Sequence, residues 1–157
     1  MGKITLTKRD SHFGDLILVS PGFALTEEPN IKTMVPAMNG QPDIRINSKV
    51  CILLRNLLDS IQSGNQITAV SGFRTQAEQE KIWNDSIKEN GSEFTHEFVA
   101  LPGHSEHQTG LAIDLGENKP PIDYIRPSFP YTGICEKFRE KAPLFGFIER
   151  YQKGKKP

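Results

Sequence analysis

Leu101-Pro102-Gly103-His104-Ser105-Glu106-His107-Gln108-Thr109-Gly110-Leu111-Ala112-Ile113-Asp114 is the stretch on which the reading of this chain turns. It passes from a Pro-Gly loop into an alternating segment, 110–115, that reads as a strand. Successive strand side chains point to opposite faces, so Leu111, Ile113 and Leu115 share one face and Gly110, Ala112 and Asp114 the other. The large apolar face enters a core, and Asp114 projects among small neighbours that leave room beside it. Imidazole and carboxylate are both good ligands for zinc, which makes His107 and Asp114 a candidate pair. Seven positions of straight strand would hold their Cα atoms about 23 Å apart. They can share a metal only where the chain turns between them, and Gly110, which accepts positive φ without steric cost, is the natural place. On spacing alone, the competing reading is an edge strand that ends in a turn Asp.

The other histidines compete poorly. His104 follows Pro102-Gly103 and reads as a solvent-facing loop residue. His96 lies among Glu93, Phe94, Glu97 and Phe98, and His12 reads as structural or exposed. A second candidate segment is Val70-Ser71-Gly72-Phe73-Arg74-Thr75, between a strand and a capped helix, where backbone donors point outward. An arginine at such a junction can hold a carboxylate with two parallel hydrogen bonds or meet charge developing on a carbonyl oxygen. The bland alternative is a solvated helix-start arginine. Gln79, one turn further on, reads by itself as a surface residue.

Around these segments the chain mixes helices and strands. Val50, Leu53, Leu54, Leu57, Leu58 and Ile61 keep helical rhythm over 48–62, with Ser48 as N-cap and Ser63-Gly64-Asn65 as stop. Residues 66–70 read as a strand. Thr75 and Glu78 have capping-box spacing and open a helix over 76–90, with Ala77, Ile82, Trp83 and Ile87 inward and Asn90-Gly91 ending it. A third helix is expected over 134–145, with Cys135, Phe138 and Ala142 on one side. Short strands are expected at 15–19 and 147–151. Pro21, Pro29, Pro36 and Pro42 make 20–47 an irregular arm. Pro120, Pro121, Pro127 and Pro130 mark a long loop. Strands and helices without regular alternation indicate an α+β fold, a single small domain with a central antiparallel sheet flanked by helices.

At 157 residues the chain has a one-domain length, with 36% apolar and 24% charged residues. Nineteen Lys+Arg balance nineteen Asp+Glu, which argues against non-specific binding to nucleic acid or anionic membrane. Cys51 and Cys135 lie far apart in apolar surroundings and read as buried, reduced thiols; no Cys-x-x-Cys pair offers a thiolate zinc cluster. Lys8, Arg9 and Asp10 follow the first residues directly, so neither a leader nor a membrane anchor is read here, and a cytoplasmic location is expected, with the cell envelope as the alternative.

Together, the two segments resemble the zinc D-alanyl-D-alanine peptidases of vancomycin resistance and cell-wall processing. That family's pattern is Ser-Gly-(Tyr/Phe)-Arg-(Ser/Thr)…Gln, then Ser-x-His-x-x-Gly-x-Ala-x-Asp, then a late Glu-x-x-Trp-His. Ser71-Gly72-Phe73-Arg74-Thr75 with Gln79 is similar to the first block, and Ser105 through Asp114 match every fixed position of the second. The resemblance covers about residues 45–151. Ala100 through His107 look like the soluble VanXY branch, which joins dipeptidase and carboxypeptidase activity, with the VanY carboxypeptidases as near neighbours.

The resemblance implies zinc as cofactor, with His107 and Asp114 as two of three ligands. It implies that Arg74 steadies the tetrahedral intermediate and that Gln79 and Ser105 contact the substrate. The substrate would be the D-Ala-D-Ala dipeptide, or stem peptides that lose their terminal D-Ala. The third block is missing from these 157 residues, whose only tryptophan is Trp83, and Glu149 is not followed by Trp-His. The expectation is therefore one D,D-peptidase domain over 1–157 that lacks its C-terminal part and is a poor peptidase alone. The alternative is a module that holds a cell-wall peptide without cutting it. A purely structural zinc domain is the weakest reading, since such sites take four protein ligands.

Overall fold

The computed structural model describes residues 19–124 and 126–150, together with the backbone of strand residues 12–13 and 16–17. In chain order the elements are β1 (His12–Phe13), β2 (Leu16–Ile17), β3 (Met34–Pro36), β4 (Arg45–Asn47), α1 (Ser48–Ser60), β5 (Ile67–Ser71), α2 (Gln76–Asn90), α3 (Ser92–Phe98), β6 (Asp114–Glu117) and α4 (Gly133–Lys141). Short 3-10 turns lie at Ile31–Thr33, Glu106–Thr109 and Ala142–Phe145. The strands form antiparallel pairs, β1 with β2, β3 with β4 and β5 with β6. This mixture of helices and small antiparallel sheets is the α+β class read from the sequence. The chain divides into two compact units: residues up to Pro29 with Arg74–Thr109, and Asn30–Phe73 with the residues from Gly110 on.

The second unit holds the apolar core. Cys51, Leu54 and Leu57 of α1 pack with Ala37, Ile46, Ile61, Ile67, Ala69, Phe138 and Ala142, and Ile113 and Leu115 press on this cluster from its edge. The α1 cap is Asn47, whose side chain accepts from the Lys49 amide at 2.9 Å; Ser48, the expected cap, is the first helical residue. Leu53 also departs from expectation. It is 42% exposed, because one helical face cannot carry every apolar residue of so dense a run. Within 20–47, expected to be irregular, Met34 pairs with Asn47 and Pro36 with Arg45 in a short hairpin. Proline is tolerated there because a two-stranded ladder has free edges.

In the main ladder Ile67 faces Glu117, Ala69 faces Leu115 and Ser71 faces Asp114, with an irregularity between Ala69 and Ser71. The strand expected over 110–115 begins only at Asp114. Gly110 takes φ +73, its carbonyl accepts from the Asn47 amide at 2.9 Å, and the chain turns there before it can join the ladder. A Cβ at Gly110 would also collide with the Met34 thioether. On β5, the Gln41 carboxamide donates to the Ala69 carbonyl at 2.9 Å and accepts from its N–H at 3.1 Å, as a neighbouring peptide unit would.

The third expected helix is α4 followed by the tighter turn at Ala142–Phe145, with Cys135, Phe138 and Ala142 buried as read. Residues 147–150 form no strand, and Tyr151 lies outside the described residues. Arg139 fastens this end. Its guanidinium meets Glu149 at 2.9 Å, donates to the carbonyls of Pro130 and Phe129 at 2.7 Å each, and lies 3.8 Å from the centre of the Tyr131 ring. Both cysteines are reduced and buried. Burial, with the Glu117 charge second, pushes the Cys135 thiol up to about 11.

The first unit is built on α2 and α3. The capping box is complete: the Thr75 hydroxyl accepts from the Glu78 amide at 3.2 Å, and the Glu78 carboxylate accepts from the Thr75 amide at 2.7 Å. The inward face of α2 is the surprise. Ala77, Ile82 and Ile87, expected inside, are exposed, and Gln79 and Ser86 are buried instead. Ser86 bonds the Thr95 hydroxyl at 2.8 Å, and Thr95 bonds the Gly91 carbonyl at 2.8 Å, so hydroxyls join α2 to α3 where apolar side chains were expected. Reading Asn90-Gly91 as a stop missed α3, because the chain restarts a helix straight after Gly91. Of the strand expected at 15–19, Leu16–Ile17 pairs with His12–Phe13; residues 15 and 18 lie outside the described residues, as do residues 1–11 on which the leader reading rests.

Candidate active site

Each of the two sequence segments is divided between the units. Arg74, Gln79, Ser105 and His107 belong to the first unit; Ser71, Gly72, Gly110 and Asp114 belong to the second.

In the first unit, Arg74 leaves the strand–helix junction just before the Thr75 cap. Its backbone N–H donates to the His107 carbonyl at 3.2 Å, so the two segments meet directly. Its guanidinium Nη1 donates to Gln79 Oε1 at 2.9 Å. Gln79 is 0% exposed, and its Nε2 donates to the Ala100 carbonyl at 2.8 Å. Both ends of this amide are thus engaged by the protein, and the guanidinium is held from behind. A buried amide must be bonded in this way, since an unpaired one costs roughly 1–3 kcal/mol. The Ile-rich pattern of α2 gives no hint of that.

His107 sits in the 3-10 turn Glu106–Thr109, half-buried. Ser105, which precedes the turn, is 3% exposed, and its carbonyl accepts from the Gln108 amide at 3.1 Å. Thr109 closes the turn by donating to the Glu106 carbonyl at 2.6 Å. His104 is fixed in the loop, its Nδ1 2.8 Å from the Ser20 carbonyl. His96 stacks edge-on against Trp83 and bonds the Ser92 carbonyl, a structural setting.

In the second unit, Asp114 opens β6 opposite Ser71 and is half-buried. Gly72, next to Ser71, has no room for a side chain: a Cβ would run into the Arg45 carbonyl, which accepts from the Phe73 amide at 2.6 Å. The ladder therefore ties the start of the first segment to the end of the second.

The donor chemistry of His107 and Asp114 suits zinc, but a catalytic site takes three protein ligands. Among the described residues no group of three or more His, Cys, Asp and Glu side chains converges. Two donors of these types do not by themselves close a zinc site. Sequence reading passed over Gln108, next to His107 in the chain, and Gln76, which bond each other in the first unit; the only available signal was a glutamine directly following the candidate ligand.

The VanY family of D-alanyl-D-alanine carboxypeptidases matches residues 43–157. VanXYC of Enterococcus gallinarum, a bifunctional D-Ala-D-Ala dipeptidase and carboxypeptidase, is 36% identical over 141 residues, covering 89% of this chain and 74% of the relative. The vancomycin-resistance D,D-dipeptidase VanXYg, solved with a D-Ala-D-Ala phosphinate analog, superposes with a TM-score of 0.82 at 49% identity, over 89% of this chain and 55% of that one. The D,D-pentapeptidase VanY, solved with Zn(II), shares the fold at 24% identity and a TM-score of 0.59, over 87% of this chain and 76% of that one. The chain belongs to the VanY family, and it spans only about half of the VanXYg chain. No helix among the described residues is long and apolar enough to cross a membrane.

Proposed function

We propose that this chain contributes the arginine, two metal donors and the substrate-facing loop of a zinc D,D-peptidase, which hydrolyses D-Ala-D-Ala or removes the terminal D-Ala from peptidoglycan stem peptides. The observation that carries the reading is the hydrogen bond from Arg74 to the His107 carbonyl, with Gln79 gripping the guanidinium, in a chain of this family. His107 and Asp114 would hold the zinc, with a third donor from outside the described residues. When bound, zinc polarises the scissile carbonyl and acidifies its water. Arg74 presents fixed donors to the oxygen on which charge develops, and such preorganised donors need no rearrangement during reaction. Gln79, which the resemblance assigns to the substrate, has both ends of its buried amide on Arg74 and Ala100 and keeps the donors aimed instead, while Ser105 orients the peptide. A carboxylate base that takes the water proton and passes it to the leaving amine completes the reaction; no residue of this chain is assigned that role.

The activities named for the relatives favour hydrolysis over a non-catalytic peptide-binding module. We place the activity in the cytoplasm, with the cell envelope as the alternative; fractionation of producing cells decides. The central test is D-alanine release from D-Ala-D-Ala and from a stem pentapeptide in the presence of zinc, with metal content read by elemental analysis. Arg74→Ala should lower turnover about 100- to 1,000-fold and leave zinc content unchanged, whereas His107→Ala and Asp114→Ala should lose the metal. Parallel loss of turnover and zinc in Arg74→Ala would assign the arginine to folding. Tight binding of D-Ala-D-Ala without any D-alanine release would favour the module.

A further inference from the structure

Gln108 is 1% exposed, and its carboxamide is used at both ends. Its Oε1 accepts from the Gly103 amide at 2.8 Å, and its Nε2 donates to Gln76 Oε1 at 2.7 Å. Gln76, in the first turn of α2, is itself anchored twice. Its backbone N–H donates to the Glu28 carboxylate at 2.7 Å, and its side-chain Nε2 donates to Glu80 at 2.9 Å. Following these bonds gives a closed ring. The backbone runs from His107 to Gln108, a side-chain bond crosses to Gln76, the backbone returns through Thr75 to Arg74, and the Arg74 N–H comes back to the His107 carbonyl.

A leucine at 108 would fill a similar volume without needing two partners. Burying a carboxamide instead stabilises only when both ends are bonded, and what it adds is direction. Here that direction runs between the turn bearing His107 and the helix start bearing Arg74. We propose that Gln108 is a positioning residue: through Gln76 it fixes the Arg74 backbone against His107, and so sets the distance between the guanidinium and the imidazole that the peptidase reading assigns to the reaction. The consequence for turnover rests on that reading; the ring itself does not.

Two variants and two readouts test it. Gln108→Met keeps the length and removes both bonds. Gln76→Leu removes the crossing bond and the side-chain bond to Glu80, and keeps its backbone bond to Glu28. In each, amide exchange at Arg74 should rise by about tenfold, the weight of one hydrogen bond, while the Gly91 amide, which closes the far end of α2 on Ile87, keeps its protection. The double variant should exchange no faster than the faster single one, because both break the same ring. For D-alanine release, kcat should fall by roughly 100-fold, the cost of a misplacement near 1 Å, with KM within about threefold of wild type. Unchanged exchange at Arg74 in the folded variants, or equal acceleration at Arg74 and Gly91, overturns the proposal. If a protein that joins this chain to the third zinc donor and the base releases no D-alanine, the peptidase reading alone fails, and the exchange rates still decide the ring.

Discussion

In the second unit, Met34, Ile46, Leu54, Leu57, Ile67 and Phe138 fill the interior with hydrocarbon; in the first, the interior side chains among the described residues are Gln79, Ser86, Thr95, Ser105, Gln108 and Thr109, with Val19 the apolar exception. The contrast separates two physical tasks. Hydrocarbon burial is non-directional and scales with area, so it yields stability and tolerates small shifts. Buried amides and hydroxyls contribute little net stability per bond but hold atoms at fixed angles. The unit with the polar interior is the one that carries Arg74 and His107. Asp114 takes its position from a ladder rooted in the apolar core.

The sharpest way to break this comparison is to truncate in the apolar unit. Leu57→Ala should cost about 2–5 kcal/mol in urea unfolding, through lost transfer energy and the cavity left behind. A loss under 1 kcal/mol would mean that the core is not where stability resides. In the polar unit, Thr95→Val keeps the volume but strands Ser86, and should cost about 1–2 kcal/mol; a loss as large as that of Leu57→Ala would erase the distinction. A smaller effect sharpens it from the side of pH. The buried Cys135 thiol ionises near 11 in the folded chain rather than at the ordinary 9.0. The unfolded chain therefore releases this proton first, and stability is full below pH 9 and lost as pH rises towards 11. Cys135→Ala should flatten that part of the stability profile, and alkylation of the wild-type thiol should stay slow at neutral pH.

The same contrast explains what could be read from the sequence. Signals that depend on neighbours in the chain came through: the Thr75–Glu78 box, the turn at Gly110, and the apolar stripe through Cys51, Leu54 and Leu57. Apolar periodicity, however, seeks hydrocarbon, and on α2 it selected Ala77, Ile82 and Ile87, which face solvent, over Gln79 and Ser86, whose partners Ala100 and Thr95 lie beyond the helix. The motif residues of the site were legible as types in an order. What holds them was not, because the Gln108–Gln76 bond joins positions 32 apart through two side chains that propensity assigns to the surface.

Gln41 closes the account of the apolar unit. By occupying both backbone groups of Ala69, its side chain leaves β5 no donor–acceptor pair at that point on the flank turned away from β6. Ala69 is 0% exposed, so the carboxamide serves where a further strand would, satisfying buried backbone groups at the middle residue of β5. Gln41→Ala leaves both backbone groups of the buried Ala69 without this partner and should cost about 1–3 kcal/mol in urea unfolding.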